Sequence, residues 1–183
     1  MQAVKLEGGG KESARTISRI TSAGIPVLAH VGLTPQRQHS LSGFRVQGKN
    51  AASALRVLDD ALAVQEAGAF AIVLEAVPAE AAALITRELS VPTIGIGAGA
   101  GCSGQVLVQI DMMGMFPPGR FLPKFVKTYA DLWSVNLGAL REYKQEVKEG
   151  MYPGKEHTYD MADKEVQNFK TLIERRKEDE RNG

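Results

Sequence analysis

The chain has 183 residues, 44% of them hydrophobic and 23% charged, which suffices for one sizeable core. A formal charge of +1 offers no electrostatic case for nucleic acid or an acidic membrane surface. The single cysteine, Cys102, excludes an internal disulfide and fits a reducing compartment, and no apolar stretch approaches the ~20 residues of a membrane span.

The first predicted element is a strand over residues 3–7, ended by Gly8, Gly9 and Gly10. No signal or transit segment is expected from the residues ahead of it. A helix is predicted over 11–23, with Ile17, Ile20 and Ala23 on one face and Gly24 and Pro26 closing it. The second strand covers 26–32. Residues 33–49 read as a long polar loop punctuated by Gly43 and Gly48. The clearest helix spans 50–67, with Asn50 as N-cap and Gly68 as the residue after its C-terminal cap.

The third strand is predicted at 70–77. Pro78 then opens a helix at its first helical position, running through Leu84, Ile85 and Leu89. The fourth strand covers 92–97. A glycine-rich turn over 98–104 leads into a fifth strand, Gln105 to Ile110, with no helix between. Residues 112–124 read as a Pro/Gly loop. A helix is predicted from Lys124 to Lys148, with a break near Asp131. The loop from Gly150 to Tyr159 ends the compact part, so the barrel-like domain is drawn at 1–160. Residues 161–183 form a charged tail whose segment 162–180 is a solvated, partly mobile helix. Strands apolar on both faces and separated by helices mean a parallel sheet, either open and doubly wound or part of a (β/α)8 barrel.

Charged groups inside such strands are costly unless something uses them. Lys5 and Glu7, two apart, point to one face of their strand. Lysine there suits a substrate carboxylate, and glutamate suits a hard cation, directly or through water. An intrastrand ion pair at a sheet edge competes evenly with that reading. His30 ends the second strand, placed to donate to an oxyanion or shuttle a proton. A structural histidine bonded to a carbonyl is the competing reading, and the one a lone histidine favours. His39 and His157 lie in loops and carry no site claim. Glu75, flanked by Leu74 and Ala76 in an apolar run, is the sharpest signal: it is either paired, with Lys5 for instance, or set up as a general base. Gly95, Gly97 and Gly99 would let backbone amides approach a ligand, although the spacing is not a dinucleotide fingerprint. Asp111 is a further site residue or a turn former, and Cys102 has no base nearby.

Several segments together resemble ketopantoate hydroxymethyltransferase. They are Val4-Lys5-Leu6-Glu7-Gly8-Gly9, His30-Val31-Gly32-Leu33-Thr34-Pro35-Gln36, Gly43-Phe44-Arg45-Val46-Gln47-Gly48, Val73-Leu74-Glu75 and Pro92-Thr93-Ile94-Gly95-Ile96-Gly97-Ala98-Gly99. Ser103 to Val108, Pro123-Lys124-Phe125 and Tyr152 to His157 extend the match, which runs from residue 1 to about 160. The resemblance implies a (β/α)8 barrel that transfers a hydroxymethyl group from 5,10-methylenetetrahydrofolate to 3-methyl-2-oxobutanoate, giving 2-dehydropantoate for pantothenate synthesis. It implies Mg2+ as cofactor, the metal chelating the keto acid and stabilising its enolate. By similarity Lys5 contacts the keto-acid carboxylate, Glu7 stands near Mg2+ through water, Glu75 is the general base and His30 lies close to substrate. The turn with Gly97 and Gly99 lines the same pocket.

Two departures are visible. Full-length members carry about three more β/α units before the Lys5 strand, supplying two Mg2+-binding aspartates and a serine that contacts substrate. The chain is thus expected to hold the C-terminal five strands of a barrel. Ala29 and Ala76 stand where glycine and cysteine are usual. A homo-oligomer, in the cytosol or in mitochondria, is the family expectation. The rival reading is a catalytically impaired chain acting as a non-catalytic partner of a full-length enzyme. A phosphoenolpyruvate-type carbon–carbon lyase shares the barrel and the enolate chemistry, but the His30–Gln36 loop argues against it.

Overall fold

A computed structural model describes residues 2–36 and 45–182. Gly43, Phe44 and His39 of the long polar loop lie outside the described residues. The chain forms two compact units, Met1–Leu132 and Trp133–Gly183. That division falls earlier than residue 160. No helix among the described residues is long and apolar enough to cross a membrane.

The first unit is a parallel sheet with helices between most of its strands. β1 (Val4–Glu7), β2 (Val27–Gly32), β3 (Ala71–Glu75), β4 (Thr93–Ile96) and β5 (Gly104–Gln105) lie side by side in chain order. A doubly wound sheet reverses strand order at its switch point, whereas a barrel does not. Sequential order is therefore that of an arc of a (β/α)8 barrel. α1 (Gly10–Ser22), α2 (Ala51–Glu66) and α3 (Ala79–Glu88) supply the connections.

Strand alternation sorts the side chains. Val27, Ala29, Val31, Ile72 and Leu74 face the helices and join Ile17, Val57, Ala61, Val64, Ala82 and Ile85 in one buried cluster. Each fully buried Val, Ile or Leu contributes about 1.5–3 kcal/mol, so this layer holds the arc together. Buried Thr93 is satisfied: its hydroxyl pairs with that of Thr86 at 2.8 Å and accepts from the Ser103 N–H at 3.2 Å.

The helix ends follow local chemistry. Asn50 Oδ1 accepts from the Ser53 N–H at 2.9 Å, and Ser53 Oγ accepts from the Asn50 N–H at 3.1 Å, a full capping box. At the start of α1, Asp60 of α2 reaches across and accepts from the Gly10 N–H. Burial pushes the Asp60 carboxyl above its usual value, and this outweighs the Gly10 bond, which pulls it down; Asp59 beside it adds to the rise.

Three sequence expectations need correcting. Pro78 is the N-cap of α3 rather than its first helical residue, because its carbonyl accepts the first helical bond, from Ala82 N–H at 2.9 Å. The fifth strand is two residues long instead of six. After a last ladder bond from Val106 N–H to the Gly95 carbonyl, the chain turns into α4 (Gln109–Met112), so the β-branched run is overruled by a helical turn. Residues 124–131 are not helical. Their apolar spacing imitates a helix, but Tyr129 N–H and Leu132 N–H donate to the carbonyls of Met112 and Met113, at 2.8 and 3.0 Å. The long helix α5 begins only at Leu132, next to the expected break, and runs to Glu149.

The second unit consists of α5, a 3-10 turn at Lys155–His157 and α6 (Asp163–Asn182). Gly150, in the left-handed region, ends α5, and Tyr152 packs edge-on against Tyr143 with ring centroids 5.4 Å apart. α6 is the charged helix expected from sequence, with Phe169 and Leu172 exposed.

Candidate active site

The face of the sheet opposite the helices carries the candidate site residues. Period two puts Lys5 and Glu7 on it from β1, Leu28 and His30 from β2, Val73 and Glu75 from β3, and Ile94 and Ile96 from β4. Register aligns Glu7 with His30 and His30 with Val73, and sets Glu75 one pleat further along, opposite Gly32. All the polar members therefore gather at the C-terminal ends of parallel strands, where barrels place their sites.

His30 is 1% exposed and lies between two carboxylates. Its Nε2 stands 3.2 Å from Glu75 Oε2 and its Nδ1 3.5 Å from Glu7 Oε1. Among the described residues neither ring nitrogen has a hydrogen-bond partner, so no described carbonyl bonds it in the manner of a structural histidine. Glu7 and Glu75 are themselves mostly buried. Lys5 Nζ is 3.8 Å from Glu7 Oε1 and half exposed; it pairs along its own strand and not with Glu75. Glu7 Oε2 accepts from the Gln36 N–H at 3.0 Å, which ties the loop after β2 to β1.

Backbone bonds hold Glu75 in place. Its carbonyl accepts from Leu33 N–H, and Ala76 bonds Ile96 and Gln47 through its N–H and carbonyl, each bond being 2.9 Å. These bonds keep Ala76 at φ +50°, a region alanine rarely adopts, immediately after the carboxylate. Gly32 has φ +89°, and a Cβ there would strike the Glu75 carbonyl, so only glycine lets β2 end so close to β3.

These groups open into a cleft of about 1260 Å³ within the first unit. Lys5, Glu7 and Glu75 line it, and so do Gly97 and Gly99 of the glycine-rich turn; His30 is screened from it behind the two carboxylates. Gly97 has φ +63°, and the Phe125 ring stands where its Cβ would be, at 2.5 Å. Gln105 Nε2 donates to the Gly99 carbonyl at 2.9 Å and closes the turn. Asp111 also faces the cleft, from α4, with Arg120 Nη1 3.5 Å from its Oδ1. Cys102 is half-buried against Gly95 and is packing. Sequence reasoning missed Arg45, Arg120, Phe121 and Lys124, which also line the cleft. They sit in loops without periodicity; Arg45 and Lys124 stand in segments that carry the family resemblance, while Arg120 and Phe121 belong to the Pro/Gly-rich segment 112–124.

Among the described residues no three His, Cys, Asp or Glu side chains converge as a metal centre. Glu7, the expected cation residue, has both oxygens engaged by neighbouring groups. A hard divalent cation wants about six oxygen ligands. The described residues do not by themselves make a Mg2+ centre.

Comparison with known proteins matches residues 1–155 to the family model described as ketopantoate hydroxymethyltransferase. A 3-methyl-2-oxobutanoate hydroxymethyltransferase of Emericella nidulans is 62% identical over 174 residues, which is 95% of this chain and 50% of the relative. Enzymes of that name from Carboxydothermus hydrogenoformans and Chloroflexus aurantiacus are 56% and 57% identical, covering 88% and 90% of this chain and 57% of each relative. The chain thus spans about half the length of the curated relatives it matches.

Proposed function

Since the chain belongs to the ketopantoate hydroxymethyltransferase family, we propose that its cleft serves hydroxymethyl transfer from 5,10-methylenetetrahydrofolate to 3-methyl-2-oxobutanoate, giving 2-dehydropantoate. The observation that carries the reading is the contact of the Glu75 carboxylate with buried His30 at the strand ends.

Lys5, half exposed at the cleft, binds the keto-acid carboxylate as a point charge. Glu75 takes the proton from C3, and the electron pair of that C–H bond passes into the enolate. Water adds to the donor's methylene carbon and its two C–N bonds break, the water protons passing to the donor nitrogens, which releases tetrahydrofolate and a one-carbon aldehyde. The enolate C3 bonds that carbonyl carbon, whose oxygen takes the proton back from Glu75 and becomes the hydroxyl. His30 orients Glu75 and relays its proton, touching the base and not the substrate, while Glu7 holds the other side of the ring. The glycine turn at Gly97 and Gly99 shapes the wall beside the reacting carbon. Mg2+ would supply Lewis-acid stabilisation of the enolate. Because the described residues do not complete its site, no step is drawn through it.

Exchange of the C3 proton of 3-methyl-2-oxobutanoate into D2O, followed by proton NMR, tests the base without the donor. Exchange by the chain that falls about 10²–10⁴-fold in Glu75→Gln supports the reading. Unchanged exchange in that variant sinks it. A second reading, a non-catalytic partner chain, draws on the incomplete cation ligand set. It would be favoured by a folded chain that catalyses no exchange yet co-assembles with a full-length relative.

A further inference from the structure

A carboxylate of the helix layer seats against the turn that ends β1. Glu7 is followed by Gly8, Gly9 and Gly10, which have no side chains to fix the turn, and Gly8 and Gly10 lie in the left-handed region at φ +120° and +72°. Gly9 is the N-cap of α1 and supplies no side-chain acceptor for its first N–H groups. That acceptor comes from α2 instead: the half-buried Asp60 carboxylate accepts from the Gly10 N–H. The fit is close, because a Cβ at Gly9 would strike the Asp60 side chain. Asp60 is not one of the cleft-lining residues.

The turn is tied directly to the site. Gly8 N–H donates to the His30 carbonyl at 2.9 Å, and Glu7 lies opposite His30 in the strand register. One Glu7 oxygen stands 3.5 Å from His30 Nδ1, and the other is held by the Gln36 N–H. A shift of the turn therefore moves Glu7 relative to the imidazole that Glu75 meets on its other side. We propose that Asp60 is a positioning residue of the candidate site: by seating the Gly8–Gly10 turn it sets Glu7 against the His30 ring and, through that ring, aims Glu75. Its consequence for the reaction rests on the hydroxymethyl-transfer reading of the cleft. Lys5, a point charge on a flexible stem, follows small backbone shifts, so keto-acid binding depends on Asp60 far less than proton transfer does.

The test reads the His30 ring nitrogens of the full chain by 15N NMR, assigned by their absence in His30→Leu. Beside it run C3 exchange at saturating 3-methyl-2-oxobutanoate and calorimetric titration with that keto acid. In Asp60→Ala the His30 signals should shift and exchange should fall about 10- to 100-fold, with keto-acid affinity nearly unchanged. Asp60→Asn, which keeps an acceptor for Gly10, should rescue both. Gln65→Ala is the structural control: it loses the bonds that the same helix accepts from the Ser90 and Val91 N–H groups, at 2.7 and 3.2 Å. It should lower the melting temperature and leave the His30 signals in place. If Asp60→Ala does not fold, Asp60→Glu, one methylene longer, decides instead and should move the same signals. His30 signals unmoved in the folded Asp60 variant overturn the proposal, as do equal shifts in Gln65→Ala or exchange that Asp60→Ala leaves intact. Signals that shift as expected in a chain whose parent catalyses no exchange would instead remove the reading of the reaction and leave the positioning role standing.

Discussion

His30 and Glu75 meet across neighbouring parallel strands with Nε2 and Oε2 3.2 Å apart, although the register pairs His30 with Val73. The imidazole leans one pleat along the sheet toward the carboxylate, and its other nitrogen is left facing Glu7. A buried ring with both nitrogens turned to carboxylates at 3.2 and 3.5 Å brings the three groups close enough to interact electrostatically.

Coupling of that kind is measurable. His30→Leu keeps the bulk and removes both nitrogens, leaving two largely buried carboxylates without their shared neighbour. Urea unfolding should show a loss of about 1–3 kcal/mol. In a double-mutant cycle with Glu75→Gln the two changes should be non-additive by at least about 0.5 kcal/mol. Strict additivity would mean that the contact is passive.

Ala76 offers a test of how Glu75 is held. Ala76→Gly removes the left-handed strain and adds unfolded-chain entropy, two effects of about 1 kcal/mol and opposite sign, so thermal stability should barely move. Ala76→Val puts a β-branched side chain at φ +50° and should cost about 2 kcal/mol or more. Equal stability of the two variants would show that the backbone bonds do not impose this conformation.

Two glycines in the left-handed region separate strain from crowding. Gly119→Ala, at φ +84° with no atom near, should cost about 1–2 kcal/mol. Gly97→Ala bears the same strain and also collides with Phe125, adding about 1–3 kcal/mol. Denaturant midpoints of the two variants should differ accordingly; identical midpoints would argue that Phe125 moves freely.

Asp60 gives a pH dependence with a definite sign. Burial, more than the nearby Asp59 charge, pushes its carboxyl above 3.8, against the Gly10 bond that lowers it. The folded state therefore holds this proton more tightly than the unfolded state does. Ionising Asp60 costs stability progressively as pH rises from 3.8 through the higher folded value, and the cost is complete above it. Asp60→Asn keeps an acceptor for Gly10 and has no such cost. Its melting temperature relative to the parent should rise between about pH 3.5 and about pH 7. A relative fall over that range would mean that the charged carboxylate is the better cap.

Period and punctuation made the parallel α/β arc legible in the sequence. So were Lys5, Glu7, His30 and Glu75 as anomalous polar groups in apolar strands, and the segments that carry the family resemblance. Local chemistry decides such features: Asn50 caps α2 through Ser53 three residues on, and Gly68 ends it by its own backbone freedom. The failures were non-local. Residues 124–131 have helical spacing, yet their backbone bonds go to Met112 and Met113, partners that periodicity cannot name. In the same way, sequence put Glu7, His30 and Glu75 on three separate strands and left open whether Glu75 pairs with Lys5. Only the strand register and the lean of one imidazole decided that Glu75 meets His30 and that Lys5 stays with Glu7, because those distances depend on how neighbouring strands are packed and not on any single strand.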